Sequence, residues 1–183
     1  MIIGVTGLIG SGKGAVTDWL VAHGFEKLGC SAIIEEEVVK RGMQVTRDTL
    51  RLVGNEVRKQ EGAGVWAERL LARVAPGKQY VVEGFRNVAE IEVFRARKDF
   101  VLIGVAAGIQ RRFTWMLERR RVGDPTTFAA FRALERVDFL EAEAYGQQNA
   151  LCFSMADQYV VNEGSLEALH EQLAVLLEKY PHH

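Results

Sequence analysis

Ile2-Ile3-Gly4-Val5-Thr6-Gly7-Leu8-Ile9-Gly10-Ser11-Gly12-Lys13-Gly14-Ala15 stands at the start of the chain and decides how the rest is read. Five apolar or β-branched residues run straight into three glycines and a lysine, after which a helical pattern begins. The apolar run reads as a buried strand, Met1–Thr6. Gly7, Gly10 and Gly12 permit positive φ and carry no side chains, so consecutive backbone N–H groups are free to turn inward around an anion. The helix that follows aims the positive end of its dipole at the same point. Lys13 adds a mobile positive charge for outer phosphates. Residues 7–15, namely Gly7, Leu8, Ile9, Gly10, Ser11, Gly12, Lys13, Gly14 and Ala15, are therefore the candidate cradle for a nucleotide's phosphates.

Working outward, apolar runs with little alternation recur at Phe25–Leu28, Gln79–Val82, Phe100–Ala106 and Gln158–Val161, the pattern of parallel strands covered on both faces. Helical periodicity falls at Lys13–His23, Ala32–Arg41, Arg47–Gln60, Val65–Val74, Val88–Arg95, Gly108–Arg120, Thr126–Ala144 and Ser165–Lys179, with Thr46 and Ser165 as N-caps. Asp124-Pro125-Thr126 reads as a stop and a fresh helix start. The expectation is a single three-layer α/β domain, residues 1–183, with a five-stranded parallel sheet and helices on both faces. Residues 31–75 form a helical insertion and residues 111–128 a short arginine-rich lid.

Composition narrows the function classes. The 183 residues are 48% hydrophobic and 26% charged, which excludes disorder, collagen-like repeats and a disulfide scaffold. Twenty-three basic residues against 24 acidic ones leave no global field for nucleic acid or an anionic membrane, so anions must be caught locally. Cys30 and Cys152 are far apart and show no zinc-ligand spacing with the four histidines. Met1–Val5 is too soon interrupted to be a signal peptide, and no window is long enough to span a bilayer. A cytoplasmic protein with reduced thiols is expected. Pro181-His182-His183 is given no meaning.

Three further segments carry chemistry. Tyr80-Val81-Val82-Glu83-Gly84-Phe85-Arg86 ends a buried strand in a carboxylate, a glycine and an arginine. Glu83 is placed to hold Mg²⁺ through water, Gly84 to let a ligand approach, and Arg86 to fork onto a phosphate. Arg47, Arg51 and Arg58 recur at intervals of four and seven, on one helix face, a candidate acceptor-binding stripe. Gly54, between them, costs ~1 kcal/mol against alanine in a helix, which implies that something packs closely on its backbone. Arg111, Arg112, Arg119, Arg120 and Arg121 crowd eleven residues ending at Val122-Gly123-Asp124-Pro125. Of these, Arg119, Arg120 and Arg121 are the choice for neutralising a transferring group.

The loop Gly7-x-x-Gly10-x-Gly12-Lys13-Gly14 resembles the P-loop of adenylate-kinase-type nucleotide kinases, in which glycine follows the lysine; Ala15 departs from the threonine usual there. Glu83-Gly84-x-Arg86 is similar to the strand-Asp-Gly-x-x-Arg segment of nucleoside monophosphate kinases, with Glu for Asp. The Arg47–Arg58 spacing resembles the acceptor insertion of phage-type deoxynucleoside monophosphate kinases. Ala156 to Leu166 resembles the last strand and helix start of dephospho-coenzyme A kinases, which implies that Asn162 lies beside a purine base. The whole order resembles a group of small archaeal and bacterial P-loop kinases akin to the latter. The resemblance implies a P-loop NTPase fold, ATP and Mg²⁺ as cofactors, and a small-molecule nucleotide acceptor, in a monomer or homodimer with no nucleic-acid or membrane partner. Two alternatives stay open: a dephospho-coenzyme A kinase, with Glu35 or Glu37 in place of the aspartate that family keeps after its second strand, and a nucleotide-binding regulator with little turnover.

Overall fold

Neighbouring residues of a strand face opposite sides of a sheet, so a strand apolar at every position must be covered twice. β1 (Ile2–Thr6) is buried throughout, and in the computed structural model it lies at the centre of a five-stranded parallel sheet. The structure describes residues 1–121, 123–140 and 144–180. β3 (Tyr80–Glu83) and β4 (Phe100–Ala106) flank β1, while β2 (Glu26–Gly29) and β5 (Gln158–Val161) form the edges, in the order β2-β3-β1-β4-β5. The register places Val5 beside Glu83 and Ile103, which brings the phosphate-binding loop and the end of β3 to the same edge of the sheet.

The alternation sorts the core into two layers. Ile3, Val5, Val81, Ile103, Val105 and Val160 point to one face. There they meet Val16 and Leu20 of α1 (Lys13–Ala22) and Leu169, Leu173 and Leu176 of α9 (Leu166–Glu178). Ile2, Tyr80, Val82, Phe100 and Leu102 point to the other. This second layer is filled from α2 (Cys30–Lys40), α3 (Arg47–Glu61), α4 (Val65–Leu71), α5 (Val88–Arg95) and α8 (Asn149–Ser154). Gly4 belongs to this layer because a Cβ would meet the Phe100 ring and Leu102 at 2.8 Å.

α6 (Ile109–Arg119) and α7 (Phe128–Leu140) follow β4 and join through Phe113, Phe128 and Phe131, whose ring centroids lie 5.4–6.5 Å apart. Thr46 caps α3 and Ser165 caps α9, each accepting from a backbone N–H three residues on. The start expected at Thr126 lies slightly later: Thr127 accepts from the Ala130 N–H, and α7 begins at Phe128. α8 has no counterpart in the sequence reading. Of that reading, Val122, Glu141 to Glu143 of the long helix, and Pro181-His182-His183 lie outside the described residues. No helix among the described residues is long and apolar enough to cross a membrane.

Candidate functional site

The loop after β1 turns on three glycines. Gly10 and Gly12 have φ of +78° and +88°, in the left-handed region that side chains disfavour, and Gly12 forms the N-cap of α1. Space matters as much as torsion: a Cβ on Gly10 would strike the Arg112 carbonyl at 2.7 Å, and one on Gly7 the Val105 carbonyl at the same distance. The Lys13 ammonium folds back onto its own loop, donating to the Gly7 and Leu8 carbonyls at 2.8 and 3.0 Å. Ser11 Oγ is buried without a hydrogen-bond partner among the described residues, an orphaned polar atom within the loop.

A cleft of about 510 Å³ opens over this loop, a volume within the range of small-ligand sites. It is lined from Gly10 to Ala15 on one side and by Arg111, Trp115, Met116 and Arg119 of α6 on the other. Asn162, Gly164 and Leu166, from the turn between β5 and α9, close the end. Asn162 donates from its side chain to the Ser11 carbonyl at 3.1 Å, tying this turn to the loop. Trp115 escaped the sequence reading because a tryptophan among arginines reads as ordinary helix surface. Its ring lies 5.6 Å from the Arg111 guanidinium, and Arg111 pairs with Glu163 at 3.4 Å. Nothing lies within 4 Å of a Cβ built on Gly14.

Glu83 sits at the end of β3 with both carboxylate oxygens engaged. Thr17 donates to Oε2 at 3.1 Å, and Lys27 pairs with Oε1 at 2.7 Å. Neither partner was singled out from sequence. Thr17 lies one helical turn beyond Lys13, which is a usable signal; Lys27 is visible only once β2 pairs with β3. Among the described residues no cluster of three or more His, Cys, Asp or Glu could enclose a metal ion. A single carboxylate still fits Mg²⁺, which keeps its waters and arrives bound to phosphates. Gly84, at φ +87°, faces the start of α2, where a Cβ would meet the backbone nitrogens of Ser31 and Cys30 at 3.5 and 3.6 Å. Arg86 donates from its guanidinium to Asn149 Oδ1 at 3.0 Å.

The three arginines of α3 do not share one role. Arg58 is enclosed, 1% exposed, and donates from Nε and Nη2 to Glu90 Oε1 at 3.0 and 2.8 Å. Glu90 is fully buried and turns Oε2 to the backbone N–H groups of Arg86 and Asn87. Arg58 is thus a bolt between the insertion and the β3–α5 turn, and the acceptor stripe expected on this face loses its third member. The close packing at Gly54 also comes from within: Trp66 donates to its carbonyl at 3.1 Å and Ile34 lies above it. Arg51 lines a separate groove with Leu52 and Tyr145. Arg47 reaches across to Asp124 at 3.2 Å.

At the other end of α6, Arg119 pairs with the same Asp124 at 2.7 Å. Burial pushes the Asp124 carboxyl up, but the hydrogen bond and charge of Arg119, with Arg47 beside it, outweigh this and hold it below its ordinary value. Arg120 is the positive-φ residue other than glycine among those described, at +47°, and it ends α6. Arg120 and Arg121 are exposed and form no ion pair among the described residues. Arg112 is buried and structural: it donates to the Ile9 and Ala107 carbonyls and pairs with Glu135 at 2.5 Å.

No family model matches the chain. Whole-chain relatives do. A UPF0200 protein of Aeropyrum pernix is 36% identical over 171 residues, covering 92% of this chain and 88% of that one. Another, from Methanothrix thermoacetophila, is 31% identical over 179 residues and covers 97% of both. Among solved structures, TT1252 from Thermus thermophilus superposes over all of this chain and 98% of its own with a TM-score of 0.62 at 24% identity. Shikimate kinase from Acinetobacter baumannii, in complex with shikimate, gives 0.58 at 17% identity over 99% of this chain and 95% of its own. The fold is that of the P-loop kinases, and the chain belongs to the UPF0200 family.

Proposed function

We propose that this protein transfers a phosphoryl group from ATP to a small phosphorylated nucleotide, in the manner of a nucleoside or deoxynucleoside monophosphate kinase. One observation carries the reading: the glycine loop at the N-terminus of α1, with Lys13 and the orphaned Ser11 hydroxyl, opens into a nucleotide-sized cleft that Arg119 also lines. The loop would hold the donor phosphates, and the turn at Asn162 with Trp115 the base. Glu83, steadied by Thr17 and Lys27, would orient Mg²⁺ through water; the ion supplies charge neutralisation of the phosphates. Arg47, Arg86 and Arg119 would hold acceptor and transferring groups in line, with Arg120 and Arg121 over them.

The carboxylates of α2 bear on the acceptor class. A phosphate oxygen attacks without a general base, whereas a ribose hydroxyl needs one within hydrogen-bond reach. Of the two carboxylates that could serve such a hydroxyl, Glu37 is spent on surface pairing and is held below its ordinary range by the Arg41 hydrogen bond, while Glu35 is exposed on α2. The loss of Glu37 to that pair supports a nucleotide over dephospho-coenzyme A. A nucleotide-binding regulator is the second reading, favoured by Gly14, which offers no hydroxyl to a metal. Lys13→Ala tests the assignment. Its side chain is part-buried and bonds to two loop carbonyls, so the variant should stay folded with at most a small drop in unfolding midpoint while ATP turnover falls by roughly a hundredfold or more. Near-normal turnover would remove the loop from the mechanism.

A further inference from the structure

Two elements of different origin converge on one carboxylate. Arg47 comes from the first turn of α3 in the insertion, Arg119 from the last turn of α6, and Asp124 from the segment leading to α7. Asp124 Oδ1 accepts from Arg47 Nη2 at 3.2 Å and Oδ2 from Arg119 Nε at 2.7 Å. The Asp124 side chain is 5% exposed, while the two arginines are 53% and 40% exposed. The anion is therefore inside and its cations lie on the outside, open to solvent.

The fit is incomplete in a specific way. A guanidinium offers five N–H donors in a planar fork, suited to two parallel bonds with an oxyanion. Here each gives Asp124 a single nitrogen. Two oxygens cannot fork onto two guanidiniums at once, whereas three phosphate oxygens come closer to doing so. Charge is in surplus as well. Arg120 and Arg121 adjoin the pair and are exposed, and the other carboxylates of α3 and α6 face elsewhere: Asp48 and Glu56 line the groove at Leu52, Glu61 pairs with Arg69, and Glu118 lines the groove at Gln110. Arg119 also lines the cleft over the phosphate-binding loop, so an anion at this point would neighbour the donor phosphates.

We propose that Asp124 is an internal counter-anion: it fills the site between Arg47 and Arg119 and yields it to a phosphate monoester of the acceptor. The proposal rests on the kinase reading for the identity of that phosphate, but the site itself can be probed with inorganic phosphate. Without ligand, Asp124 offsets one of the two positive charges and links α3 to α6. A dianionic phosphate, more charged and richer in acceptors, displaces it. Competition by Asp124 weakens anion binding in return for order in the empty protein, and it discriminates against monoanions that hold the arginines no better than a carboxylate does.

The test follows the arginine Nε–Hε signals of Arg47 and Arg119 by NMR during titration with inorganic phosphate, each signal assigned from its Arg→Lys variant. Both signals should move together, and in Asp124→Asn the midpoint should fall to roughly one third to one tenth of the wild-type concentration, the size expected for removing a partly buried competitor. Arg47→Gln, a substitution at an exposed side chain, should raise the midpoint of the Arg119 signal by a similar factor; should Asp124→Asn fail to fold, the Asp124 carboxyl ¹³C signal of the wild type supplies the answer, because it should move with the same midpoint as its arginines leave it. Unmoved signals, or equal midpoints in wild type and Asp124→Asn, would overturn the proposal. Arg119 also lines the cleft at the loop, so it is the Arg47 signal moving with the same midpoint that identifies the Arg47–Arg119 site. Absence of ATP binding at the loop, read separately by titration calorimetry, would count against the kinase reading and leave the anion site standing.

Discussion

At the scale of single residues, buried polar groups show what the fold cannot give up. Arg58 and Glu90 are both enclosed, and Glu90 accepts from two guanidinium nitrogens and two backbone N–H groups, so neither charge has access to water if its partner is removed. Breaking a buried pair from one side typically costs ~3–5 kcal/mol. Arg58→Met should lower stability by about that amount in urea unfolding, and a loss under about 1 kcal/mol would show the pair to be dispensable. Its helical spacing from Arg47 and Arg51 gave no warning, because periodicity tells which residues share a face and not how far the insertion leans onto the β3–α5 turn. The two thiols behave in the opposite sense. Burial raises Cys30 well above its ordinary value and pushes Cys152 up to about 12. A thiol that ionises readily only when unfolded contributes stability that is intact below its unfolded pKa and is lost as pH climbs from there toward the folded value. Stability should decline from about pH 9 upward, and Cys152→Ala should make that decline shallower; an unchanged slope would mean that other groups control it. In the native protein both thiols should resist aromatic disulfide reagents until unfolding.

At the scale of elements, the phosphate-binding loop depends on glycine for two separate reasons at one position. Gly12 has φ +88°, and a Cβ there would lie 2.2 Å from the Asn162 amide nitrogen that bonds to the Ser11 carbonyl. Gly12→Ala should therefore cost about 1–2 kcal/mol in backbone strain and also push the β5–α9 turn off the loop. Thermal unfolding with and without ATP separates the two effects: the apo midpoint should fall, and ligand-induced stabilisation should fall further. Equal stabilisation in variant and wild type would show that the turn at Asn162 does not help hold the nucleotide. This loop was legible because its glycines, lysine and flanking strand stand within fifteen consecutive residues. α8 was not. Six residues are too few to establish a period, and Asn149–Ser154 is placed by packing Cys152 into the sheet layer and by Asn149 receiving Arg86.

At the scale of the whole molecule, the strand order β2-β3-β1-β4-β5 places the loop after β1 beside the end of β3, and the turn after β5 reaches across the top of β4. Every residue assigned a part in phosphoryl transfer comes from that edge or from the two helical segments that overhang it. The parallel sheet could be read from five runs such as Phe100–Ala106 because burial on both faces leaves an uninterrupted apolar signature. Contacts that join distant segments left no such mark. Lys27 with Glu83, and Arg47 with Asp124 across 77 positions, exist only after the chain has folded. The central claim concerns chemistry, and ³¹P NMR of ATP and Mg²⁺ with the protein tests it directly, run against ribo- and deoxynucleoside monophosphates and dephospho-coenzyme A. The account predicts that the γ-phosphate signal decays only when one of the nucleoside monophosphates is present, and that the matching diphosphate appears. ATP that stays intact with every acceptor, despite binding, would contradict it, and phosphorylation of dephospho-coenzyme A alone would move the acceptor assignment to the hydroxyl class, with Glu35 or Glu37 as the base to examine.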